Sequence, residues 1–138
     1  MDRFQLPLND RYIDGNPLSP VFMSYDPHGE YLHHRKLNVL SFKIVDVDTE
    51  GIPLNMYHGV QHYNPTTISQ YALELYSILI HHGDSNEVDS KFRIVIDWCL
   101  CNQTADGGWP STFNHMFFKG RVESLSAPWY SAMAQGLM

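Results

Sequence analysis

From Thr66 onward the apolar residues fall into a helical period: Ile68, Tyr71, Ala72, Leu75, Tyr76 and Leu79 stand at i, i+3, i+4, i+7, i+8 and i+11. A Pro-Thr-Thr opening precedes this run and Gly83 follows it, so the spacing predicts a helix from Thr66 to just before Gly83. A second helix is predicted from about Glu87 to Asn102, where Val88, Phe92, Val95, Ile96, Cys99 and Leu100 form a stripe that Ile94 and Trp98 widen. So broad an apolar surface requires neighbours on more than one side. Further on, Pro128 suits the first turn of a third helix, Ser126 its cap, and "WYSAMAQGLM" runs on with no stop signal. The chain therefore reads as cut within a helix.

Upstream the period is two. In "LNVLSFKIVDVD", residues 37 to 48, Val39, Ser41, Lys43, Val45 and Val47 alternate with Leu40, Phe42, Ile44 and Asp46, which predicts one strand. The stretch "DTEGIP" then turns, and "LNMYHGVQHY" extends toward Pro65. The links "HHGDSN" and "QTADGGWPSTFNHMFFKGRVESLSAP" place consecutive helices antiparallel. Helical hairpins with loops at one end are the unit of α/α toroids. The expected fold is therefore mainly α: an incomplete α/α toroid over residues 66–138, preceded by a short β or extended region over residues 1–65.

Composition sets limits on this picture. The 138 residues suit one domain, and 43% hydrophobic with 13% aromatic content supports a core. With 9 basic against 15 acidic residues the net charge is -6, and the longest basic run is Arg35-Lys36. A nucleic-acid or anionic-membrane footprint is excluded on that basis. The first twenty residues hold no signal-peptide core, and nowhere do about 18 apolar residues run together, so the expectation is a cytoplasmic chain without a membrane segment. Cys99 and Cys101, two apart on a helix, point to nearly opposite faces and read as buried, inert thiols rather than a disulfide or metal clamp.

Three blocks, "GVQHYNPTTISQYALELY" (59–76), "DWCLCNQTADGGWP" (97–110) and "PWYSAMAQG" (128–136), resemble in order and spacing the D-glucuronyl C5-epimerase family. The resemblance covers roughly residues 50–138. It implies a β-containing region followed by an α/α toroid, and inversion at C5 of D-glucuronate units in a polysaccharide such as a heparan precursor, giving L-iduronate. No metal or cofactor is implied. Removing the C5 hydrogen, which lies α to a carboxylate, needs a base on one face, donors for the developing charge and an acid on the other face. The family's proton-transfer tyrosines, glutamate and supporting arginine lie largely beyond the "WYSAMAQG" block, so this chain is expected to lack the complete set. Asn64 and His62 stand where some members have tyrosines.

Candidate residues follow, each with an ordinary alternative. Tyr63, before the Asn64-Pro65 helix start, is placed to hydrogen-bond a sugar or shuttle a proton, or to pack under the helix. His62 titrates near neutral pH, or bonds locally. His58 and His62 are four apart, but their segment is extended and lacks a spaced carboxylate, against a metal site. Tyr71 falls on the apolar stripe, while Gln70 lies off it and could face a cleft. Trp109 in "GGWP" has the character of a sugar-stacking platform or of a plug between helices. Trp129, Tyr130 and Gln135 lie near a helix N-terminus whose amides suit a carboxylate. Arg121 with Lys119 is the cationic pair near this loop, and His33-His34 and His81-His82 read as surface. The partner expected is a glucuronate-containing polysaccharide. Two other readings compete: a non-catalytic carbohydrate-binding or scaffold module completed by a partner, and a uronate lyase or hydrolase. An open helical face also suggests self-association into a homo-oligomer.

Overall fold

The computed structural model describes residues 12–13, 16–17, 37–82, 85–116 and 124–138, with residues 12, 13, 16, 17, 81 and 82 described by their backbone. The chain divides into two compact units, Met1–Leu32 and His33–Met138. In the first, β1 (Tyr12–Ile13) pairs antiparallel with β2 (Asn16–Pro17). The second holds a three-stranded antiparallel sheet in the order β3 (Val45–Val47), β4 (Pro53–Tyr57), β5 (Val60–Tyr63) and three helices, α1 (Pro65–His82), α2 (Asn86–Cys101) and α3 (Ala132–Leu137).

Turn chemistry sets the sheet. Asp48 Oδ1 accepts the amides of Glu50 and Ile52, each at 2.9 Å, and closes the β3–β4 turn. Between β4 and β5, His58 (φ 52) and Gly59 (φ 82) form a two-residue connection with both φ angles positive, the hairpin geometry that matches strand twist. The expected single strand over residues 37–48 is shorter than its alternation implies. Asn38 sits at φ 50, Val39–Ser41 is a 3-10 turn, and only Val45–Val47 pairs. Leu40, Phe42 and Ile44 are left exposed, while Val39 drops fully into the core.

Helix α1 begins where Asn64 Oδ1 accepts the Thr66 amide at 3.0 Å and Pro65 occupies the first turn. Ile68, Tyr71, Ala72 and Leu75 are buried as the period requires, and so are Thr67 and Ser69. The Ser69 hydroxyl donates back to the Pro65 carbonyl at 2.7 Å, which satisfies a polar group inside the core. The cluster also takes in Val39, Ile52, Val95 and Cys99. A fully buried Ile52 or Ile68 stabilises by about 2 kcal/mol. On α2, Leu100 departs from the expected stripe and is 64% exposed. Cys99 is buried, its thiol pushed up to about 11 by desolvation, but Cys101 is exposed rather than inert in the interior.

The mainly α, incomplete α/α toroid is overturned. Among the described residues α1 packs not only on α2 but on α3, β4 and the 3-10 turn, so a sheet layer takes the place of successive helical hairpins. The third helix is also shorter than expected. Ser111 and Trp129 exchange backbone hydrogen bonds at 2.8 and 3.1 Å, holding Trp129 extended. The helix starts at Ala132 with Ser131, not Ser126, as its cap, and Pro128 precedes it on a cis peptide. No helix among the described residues is long and apolar enough to cross a membrane.

Glu74 of α1 ties the 3-10 turn down: its Oε2 accepts the Val39 amide at 2.8 Å, 35 positions away. Burial raises its pKa above the ordinary 4.5, against the opposing effect of the Val39 bond. The folded chain therefore holds this proton more tightly than the unfolded chain, and its contribution is full below 4.5 and lost as pH rises through the raised value. In urea unfolding at neutral pH, Glu74→Gln is expected to match or exceed the wild type, with the gain vanishing below 4.5. Glu74→Ala is expected to lose about 1–3 kcal/mol, because the Val39 amide loses its acceptor. A Gln variant less stable than the Ala variant would contradict this account.

Candidate functional site

His62 and Tyr63 are neighbours on β5, so their side chains leave opposite faces of the sheet. Each enters a different aromatic group.

On the first face, His62 stacks on Phe113 with ring centroids 4.7 Å apart, and Tyr57 stacks on the same ring at 4.8 Å. His115 meets Tyr57 edge-on at 4.9 Å and stacks on Trp129 at 6.1 Å. The Trp129 indole donates to the Phe113 carbonyl at 2.7 Å, which ties Trp129 to this group. Asn64 joins it to the helix start by donating to the Tyr57 hydroxyl at 2.7 Å. Asn55, opposite His62 on β4 and 3% exposed, keeps its Oδ1 without a hydrogen-bond partner. Burial, and then the neighbouring His58, hold His115 below its ordinary 6.5.

On the second face, Tyr63 donates its hydroxyl to Asp48 Oδ2 at 2.7 Å, and its ring lies 5.5 Å from that of Trp98 on α2. The bond to Asp48 is the main reason that the phenol is raised above 10.0, with burial and the Asp48 and Glu50 charges adding to it. Desolvation pushes Asp48 up, but the bonds from Tyr63 and from the Ile52, Glu50 and Gly51 amides outweigh it and the pKa falls. Tyr63 thus stays protonated and Asp48 ionised near neutral pH. Tyr63, Trp98, Trp109 and Asn102, with Pro65, Pro110 and Thr112, line a cavity of about 80 Å³.

The loop carrying Trp109 is held from both sides. Thr104 donates its hydroxyl to the Gly108 carbonyl at 2.8 Å and receives the Gly108 amide at 3.2 Å. The Trp109 indole donates to the Cys99 carbonyl at 2.7 Å at the end of α2. From α3, Gln135 Oε1 accepts the Trp109 amide at 3.0 Å while its Nε2 donates to the Trp109 carbonyl at 2.9 Å. Gln135 therefore acts as a two-way clasp on the backbone of one residue. Tyr130 lies flat enough on this loop that a Cβ at Gly108 would fall 2.5 Å from its Cε1, which explains a glycine there. Its hydroxyl donates to Asp106 Oδ2 at 3.5 Å.

The sequence candidates thus divide. Tyr63 and Trp109 line the cavity of the second face, Gln135 and Tyr130 hold the loop that carries Trp109, and His62 and Trp129 belong to the first face. Gln70 is half-buried on α1 and makes no hydrogen bond or ring contact with either group. Arg121 and Lys119 lie outside the described residues, as do His33 and His34. At the start of α3 the Ser131 hydroxyl accepts one amide, that of Ala134, at 3.4 Å. Asp48, Trp98, Tyr57, Phe113 and His115 went unrecognised as site residues, since only hairpin pairing and the 111–129 bridge bring them in. No group of three or more His, Cys, Asp or Glu that could hold a metal ion occurs among the described residues. No family model matches this chain, and neither a characterised protein nor a solved structure matches it.

Two outcomes are expected from this geometry. With all 3 tryptophans carrying a fluorine label, Gln135→Leu is expected to broaden and shift the Trp109 resonance in 19F NMR while Trp129 stays in place. Equal movement of both would mean general unfolding rather than a lost clasp. The second concerns pH. Because His115 is below 6.5 when folded, the unfolded chain takes up the proton first, so stability is complete above 6.5 and falls on acidification through that value. His115→Phe is expected to flatten the slope of melting temperature against pH below 6.5, and an unchanged slope would remove His115 as its cause.

Proposed function

We propose that this chain is the saccharide-holding part of a polysaccharide-modifying protein of C5-epimerase type, acting on glucuronate units. The observation that carries the reading is that Tyr63 and Trp109, from two of the three blocks that resemble that family, line one aromatic cavity, with Gln135 from the third block bonded to the Trp109 backbone. Half-exposed indoles and a phenol suit the apolar face of a pyranose, with the hydroxyls bonding at the rim.

The chemistry available there is asymmetric. Tyr63, protonated and fixed by Asp48, suits donation of a proton or a hydrogen bond and is ill suited to abstraction. The Asp48 carboxylate accepts from Glu50, Ile52 and Tyr63, and among the described residues no carboxylate or imidazole lines the cavity opposite Tyr63. This favours, as a second reading, a non-catalytic carbohydrate-binding module. In either case the described residues supply binding, orientation and one proton donor.

A fluorotryptophan titration separates these readings. A glucuronate-containing oligosaccharide is expected to shift Trp98 and Trp109 and leave Trp129 in place, with Trp109→Ala weakening binding by about tenfold. A neutral glucan of the same length that shifts them equally would favour the non-catalytic module. Deuterium uptake at C5 above a protein-free control would be direct support for epimerisation. If neither saccharide moves Trp98 or Trp109, both readings fail.

A further inference from the structure

Helices α1, α2 and α3 share a cavity of about 180 Å³. Leu73 and Tyr76 of α1, Phe92 and Ile96 of α2, and Leu137 with Met138 at the end of α3 form its walls. Among the described residues no charged side chain lines it. Two of its polar side chains offer a guest nothing ionic or unsatisfied. Ser69 spends its hydroxyl on the Pro65 and Thr66 carbonyls at 2.7 and 3.0 Å. Cys99 is buried, and desolvation pushes its thiol up to about 11, so it is uncharged at neutral pH. Water in such a space lacks the several polar partners that hold it, whereas an apolar cavity of roughly 150 Å³ takes up benzene or xenon. Size decides between occupants. A docked helix or strand lays several side chains along a groove, and this volume admits one ring.

We propose that this cavity is a binding site for one small uncharged ring, an aryl or cycloalkyl group of about six carbons. The site is built by the helices and stands whether or not the Tyr63 cavity holds a sugar. It meets that cavity at two anchors of Trp109. Cys99 lines the apolar space, and its carbonyl accepts the Trp109 indole at 2.7 Å. Leu137 and Met138 follow Gln135, which clasps the Trp109 backbone at 3.0 and 2.9 Å. A guest that fills the space presses on both supports, and Trp109 reports its arrival.

The experiment titrates benzene into the fluorotryptophan-labelled protein, with benzoate as the charged counterpart of the same ring. Benzene is expected to give a saturable shift of Trp109 with Trp129 in place, and magnetisation is expected to pass from protein methyl groups to the bound ring. Benzoate is expected to bind about tenfold more weakly or worse, since its charge finds no partner in the cavity. Ala72→Leu fills the space from α1 and Ile96→Phe fills it from α2. Each is expected to weaken benzene by about tenfold, and having the two on different helices keeps the test alive if one fails to fold. Met138→Ala widens the space and is expected to bind naphthalene more tightly than the wild type does. No saturable response to benzene, equal binding of benzoate, or wild-type affinity in a folded filling variant overturns the site. So does a chain that sediments as a dimer and takes up no benzene, because a side chain of the second copy then occupies the space. Saturable transfer to benzene with Trp109 unmoved keeps the site and overturns its link to Trp109.

Discussion

Helix α1 carries more apolar surface than one neighbour covers, and the rest of the compact unit is arranged by that constraint. Thr67, Ile68 and Ser69 are consecutive and all buried, which a helix lying against a single partner does not allow. The demand is met from four directions: α2, α3, strand β4 and the 3-10 turn at Val39–Ser41. Polar groups caught in this enclosure are satisfied locally, Ser69 by its own helix carbonyls and the Val39 amide by Glu74.

The same packing positions both aromatic groups. Asn64 caps α1 through Oδ1 and reaches Tyr57 through Nδ2, so the start of the helix and the sheet hold one register. From that junction β5 sends His62 to one face and Tyr63 to the other. The 103–109 loop then crosses the end of α2 and is clasped by Gln135, which fixes Trp109 beside Trp98 and Tyr63. The Trp109 indole, held through its own N–H and through its backbone, is thereby preorganised.

Local chemistry was legible in the chain itself. The 3.6 period located α1 and α2 to within a residue or two, Pro65 marked a helix start, and the Asp-Thr-Glu-Gly stretch marked a turn, because each depends on neighbours only a few positions away, whereas "LNMYHGVQHY" read as one extended piece and is a hairpin turning at His58-Gly59. Tyr63, Trp109, Tyr130 and Gln135 were candidates from the sequence, alongside Gln70, Arg121 and Trp129. The clasp of Gln135 on Trp109 was not legible there, since it requires contacts across 26 positions. The long alternation at residues 37–48 misled for a related reason. Alternation states which residues could share a face, but the Val39 amide found its acceptor on α1 and the chain bent there into a 3-10 turn.

By itself, then, the sequence determined the two long helices, the turn after Asp48 and the aromatic residue types available for a cavity, all through short-range sterics, capping and periodicity. Tertiary structure alone decided the architecture, because an α/α toroid and a sheet packed on a helix answer the same apolar stripe, and only the competition for α1's surface selects between them. It also decided how the candidates divide. Trp129 was drawn into a backbone bridge with Ser111 and tied to Phe113, shortening α3, while Tyr63 was turned to Asp48 and the ring of Trp98. Hydrogen bonds between distant segments made those choices, and no local pattern encodes them.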